Sequence, residues 1–96
     1  MTMHHAGIEL ARDRLRKSAF NRAVINAEMF NPQQALQAGF LDQVVSSEAL
    51  HDTARQVAAH LQKLNMKAHA QTKLKVRSAL LQTLDAAIEK DRQHLV

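Results

Sequence analysis

The chain has 96 residues, 46% of them apolar, with a net charge of +4 when histidine is neutral. That length fits one small domain or a piece of a larger one, with room only for a thin core. With no cysteine, two glycines and one proline, the composition excludes disulfide staples and thiolate metal sites and argues against a turn-rich all-β fold. It fits a reducing, cytoplasmic setting.

In chain order, the first periodic segment begins at Ile8. Ile8, Ala11, Leu15 and Ala19 recur at helical spacing, while Arg12, Asp13, Arg14, Arg16 and Lys17 charge the other face. Ser18 either caps a new turn or sits within one long helix. Phe20, Ala23, Val24 and Ala27 continue the buried stripe. Asn31-Pro32-Gln33-Gln34 is the best local signal. Asn31 suits an N-cap, Pro32 the first helical position and Gln34 the return bond of a capping box. Gly39 should end this short helix, because it tolerates the left-handed conformation of a helix stop.

Leu41 to Val45 reads as a short strand. Ser46 or Ser47 can cap the next helix, with Glu48 in its first turn. Leu50, Ala54, Val57, Ala58, Leu61 and Leu64 then form one helical face. Asn65 marks a break. A last helix is expected from about Lys67 or His69 to near Gln93. Leu74, Leu81, Ile88 and Leu95 repeat every seven residues, and Leu80, Leu84 and Ala87 widen the stripe. Arg77 and Asp91 interrupt this seam, which weakens an isolated coiled-coil reading. The sum is a mainly helical fold of about five helices and one short strand.

Candidate functional residues are few. His4-His5 has no third ligand nearby, so a terminal or loop role is the plain expectation. His51, His60 and His69 recur every nine residues, which alternates them between opposite helix faces and argues against a joint metal site. Lys63, Lys67, Lys73, Lys75 and Arg77 form a basic run with no intervening acid. It is either a solvated face or a surface for phosphates. Met29-Phe30 could line an apolar pocket or pack in a core. Arg12, Arg14, Arg16 and Lys17 are broken up by Glu9 and Asp13, so the dense basic stripe of a nucleic-acid binder is missing. No apolar run approaches the roughly 18 residues of a membrane span. Neither nucleic acid nor a membrane is expected as a partner.

The run Glu28-Met-Phe-Asn-Pro-Gln-Gln-Ala-Leu-Gln-Ala-Gly-Phe-Leu-Asp-Gln-Val-Val45 resembles the C-terminal part of crotonase (enoyl-CoA hydratase/isomerase) proteins. Gly39-Phe-Leu-Asp-Gln-Val-Val45 is similar to the family's Gly-Leu-Val-Asp-x-Val-Val segment. A Ser-Ser-Glu-Ala-Leu helix start, an Ala-rich helix and Thr72-Lys73 with Arg77 follow in the family's order. The resemblance covers nearly the whole of residues 1–96. It implies that 1–45 end a core-type region and that 46–96 form a two-helix oligomerisation region of an α/β crotonase protein.

The resemblance implies chemistry on acyl-CoA thioesters, with coenzyme A as part of the substrate and no separate cofactor. Family members form a thioester enolate whose oxyanion is held by two backbone N–H groups, while Glu carboxylates move protons. Those groups belong to family segments that precede the matched part, and Glu9, Glu28, Glu48 and Glu89 sit in no matching context. No catalytic residue and no metal ligand is therefore assigned here. Met1 to Arg14 departs from the family's Gly-rich pattern, and the terminal Phe-x-Glu-Lys-Arg segment is absent. Lys73 and Arg77, four residues apart, are the best pair for contact with CoA phosphates. A fragment that is inactive alone, that covers a crotonase catalytic core and that self-associates as a trimer or a multiple of one is the expectation. The rival readings are a helical oligomerisation module without enzymatic activity and, behind it, a small basic nucleic-acid binder.

Overall fold

A computed structural model describes residues 2–94, so Met1 and the heptad position Leu95 lie outside the described residues. Six α-helices follow one another: α1 (His5–Arg14), α2 (Lys17–Val24), α3 (Pro32–Ala38), α4 (Leu50–Gln62), α5 (Met66–Val76) and α6 (Ser78–His94). A short 3-10 turn, Ser47–Ala49, leads into α4. The mainly helical class is as expected, but the count differs from five helices and one strand. Among the described residues there is no strand. Leu41 to Val45 runs as irregular backbone with a bend at Asp42. Apolar composition favours a strand there, but a strand also needs a neighbour to exchange hydrogen bonds with, and none of the described residues supplies one.

The segment from Ile8, left open between one long helix and a new turn capped by Ser18, is divided, and so is the expected last helix. The first break falls at Leu15 and Arg16, both extended, with ψ of 151° and 142°. It is a tertiary corner. The Arg16 N–H donates to the Ala38 carbonyl at 2.9 Å, so the end of α3 holds the start of α2. The N-cap of α2 is Arg16, with no side-chain cap bond, and Ser18 lies inside the helix. The second break is the single residue Arg77, with φ −100° and ψ 9°. Beside it, the Ser78 hydroxyl donates to the Lys75 carbonyl at 3.2 Å. Such side-chain bonding to the preceding turn competes with the helical ladder and bends it.

The local signals around α3 behave as the sequence reads. The Gln34 N–H donates to Asn31 Oδ1 at 2.8 Å, and the Asn31 N–H donates to Gln34 Oε1 at 3.0 Å. This capping box satisfies two orphan donors reciprocally. Gly39 closes the helix at φ 106°, with Phe40 N–H bonded to the Ala35 carbonyl at 2.9 Å, the arrangement of a Schellman stop. Ser46 Oγ and Asn65 Oδ1 accept from Ala49 and Ala68 N–H at 3.3 and 3.0 Å, which caps the turn before α4 and the start of α5.

The core is small. Leu15, Ala19 and Ala38 are buried together, with Ala11, Phe20, Ala23 and Phe30 packed against them. A second contact joins α1 to α6, centred on buried Ala87 with half-buried Leu80, Leu84 and Asp91 on the same face. This i, i+4, i+7, i+11 row differs from the expected heptad, since Leu81 and Ile88 are 43% and 47% exposed. α4 presents Leu50, Val57 and Leu61 to solvent, and Leu64 just after it is exposed as well.

Surface and size show how open the molecule is. The accessible area is 8163 Å² at 10.8 kDa, whereas a compact monomer of that mass exposes about 5,500 Å². The radius of gyration is 16.5 Å against about 12.5 Å for a compact domain of this length. No large side chain among the described residues is fully buried. The helices form faces that need covering, not a closed bundle.

Candidate functional site

The main concavity lies between α1, the end of α2, Phe40 and the start of α6. It is a groove of about 680 Å³, floored by Leu10, Phe40, Leu80, Leu81 and Leu84, with Arg14, Asp13 and Arg77 among its lining residues. The helices position these groups for simple reasons. Leu80, Leu81 and Leu84 come from the first turns of α6, and Arg77 occupies the break between α5 and α6. Arg14 is engaged elsewhere, donating to Asp42 at 2.6 Å. Arg77 makes no ion pair among the described residues, so its guanidinium is the free cation of the groove.

The two residues expected to work as a pair lie one turn apart at the junction of α5 and α6. Arg77 lines the groove, whereas Lys73 lies one turn earlier on the exposed surface of α5 and is not part of the lining. Their backbones are joined by the Arg77 N–H to Lys73 carbonyl bond of 3.0 Å. Lys67, Lys73 and Lys75 are all exposed on α5, a helix without an acidic residue, and Lys63 is exposed at the end of α4. Together with Arg77 they keep the second half of the chain positive.

The other candidates divide as follows. Phe30 meets Phe40 edge to face at 5.7 Å and lies under the Arg22 guanidinium at 5.5 Å, while Met29 beside it is 90% exposed. Arg12 stacks on Phe20 at 4.8 Å and pairs with Glu9 at 3.2 Å, so that basic face is partly neutralised and packed. His51, His60 and His69 are exposed on α4 and α5. Among the described residues no group of three or more His, Cys, Asp or Glu is placed to hold a metal.

Sequence reasoning missed the role of Asp91. Its carboxylate accepts the His5 N–H at 2.7 Å and the Ala6 N–H at 2.9 Å. It thereby caps the first turn of α1 from the far end of the sequence, and the negative charge meets the positive end of the α1 dipole. The Ala6 N–H bond in particular holds the Asp91 carboxyl below its usual range, partial burial opposing and the His5 N–H bond adding to the shift. A residue that breaks an apolar repeat was the available signal, but nothing local says that its partner lies 86 positions away.

Glu28 accepts two bonds from the Arg22 guanidinium, at 2.6 and 3.0 Å, and that hydrogen bonding holds its carboxyl below the usual range. An acid or base for catalysis is tuned toward neutral pH instead. Glu9 and Glu89 pair with Arg12 and Arg92. Asp13 is the one carboxylate that lines the groove. The arrangement offers apolar surface and a free cation.

A sequence profile described as enoyl-CoA hydratase/isomerase matches residues 4–96. Among solved structures, an enoyl-CoA hydratase/isomerase family protein from Pseudomonas syringae is 73% identical with a TM-score of 0.95, over all of this chain and 42% of that one. An enoyl-CoA hydratase from Mycobacterium ulcerans is 32% identical with a TM-score of 0.92, again over all of this chain and 42% of the other. A Mycobacterium tuberculosis protein described as an enoyl-CoA isomerase is 34% identical with a TM-score of 0.92, over 97% of this chain and 41% of its own. No curated protein matches significantly. The chain thus spans about two fifths of the length of the solved relatives it matches. A profile match along nearly the whole chain, and a fold shared with these structures, show that it belongs to the enoyl-CoA hydratase/isomerase family.

Proposed function

We propose that this chain is the helical covering part of an enzyme acting on acyl-CoA thioesters, and that it works only with a catalytic core that supplies the oxyanion-binding N–H groups and the Glu carboxylates. One observation carries the reading: the family match coincides with helices whose apolar faces are left open, exposing about 2,600 Å² more than a compact monomer would. That excess is the size of a large, obligate interface and not of a transient one. The core takes the groove between α1 and α6, and the core or a second copy of the chain covers the apolar face of α4. Arg77 and Lys73 contribute cations toward the CoA phosphates, Arg77 from the groove and Lys73 from the surface beside it. A mild positive charge on this half supports anionic ligands of that kind. The absence of cysteine suits work in the reducing cytoplasm.

The test is reconstitution. The chain is co-expressed with the remaining part of the Pseudomonas syringae relative, and hydration and double-bond shift of a 2-enoyl-CoA are followed. The reading predicts activity from the assembled pair and none from the chain alone. Turnover by the chain alone, or a core fully active without it, would overturn the reading.

A further inference from the structure

We draw no further inference here: the strongest candidate, the apolar seam of α4 formed by Leu50, Ala54, Val57 and Leu61, carries nothing beyond the reading above, because nothing in the structure shows whether a core segment or a second copy of the chain covers it.

Discussion

Replacing Gly39 by alanine should be among the most damaging single-methyl changes in this chain. Two effects add. Gly39 holds φ at 106°, where an L-residue costs about 1–3 kcal/mol. A Cβ there would also stand 2.9 Å from the Arg14 carbonyl oxygen and 3.5 Å from Leu15 Cα. Both are backbone atoms, so the α1–α2 corner must shift to make room. That corner is held by the Arg16 N–H to Ala38 carbonyl bond, and weakening it costs about 1 kcal/mol more. The expected loss is about 2–4 kcal/mol, measured by urea unfolding followed by circular dichroism, with the chain alone and with the catalytic core bound. Gly7→Ala is the control. Its Cβ would meet only the end of the Met3 side chain at 3.4 Å, in a helix where alanine is favoured by up to about 1 kcal/mol. A Gly39→Ala variant within about 0.5 kcal/mol of the parent, or one less harmful than Gly7→Ala, would refute the argument.

Three further outcomes follow from the same contacts. Asp91 and Glu28 both titrate below their ordinary values in the folded chain, so their stabilisation is present above about pH 4–5 and is lost as pH falls through the folded values; acid unfolding of Asp91→Asn should show a shallower slope, and an unchanged slope would remove the α1 cap from the account. Ala27 sits at φ 51°, so Ala27→Gly should stabilise by about 0.5–1 kcal/mol, the relief of a left-handed L-residue less the entropy of glycine, read as a rise in the unfolding midpoint. In the reconstituted enzyme, Arg77→Glu should raise KM for acyl-CoA about tenfold and Lys73→Glu less, consistent with loss of one partly screened charge contact; equal KM values for both variants and the parent would withdraw the phosphate assignment.

What the sequence made legible was local. The Asn31–Gln34 capping box, Pro32, the Gly39 stop and the Ser46 cap are satisfied within a few residues of where they act, so spacing alone reveals them. The break at Arg16 was legible only as one of two readings, and at Ser18, because it depends on a carbonyl of α3 that accepts the Arg16 N–H; the break at Arg77 escaped because it depends on one back-bonding serine. The strand expected at Leu41 to Val45 followed from apolar composition, which cannot say whether a neighbouring strand exists. In α6 the periodicity was real but its facing was not. Leu81 and Ile88 of the heptad are exposed beside the α1-facing row Leu80, Leu84, Ala87 and Asp91, and Leu74 belongs to α5. Of the candidate site, the cationic character of Arg77 was legible. Its place in the groove, apart from Lys73, depends on where α6 turns.

The central claim is that these helices are completed by a partner, and sedimentation joined to thermal melting of the isolated chain tests it most directly. The account predicts concentration-dependent association or a broad, shallow transition for the chain alone, replaced by one sharp transition when the catalytic core is added. A strictly monomeric species with a cooperative melt above about 50 °C, unmoved by the core, would contradict it.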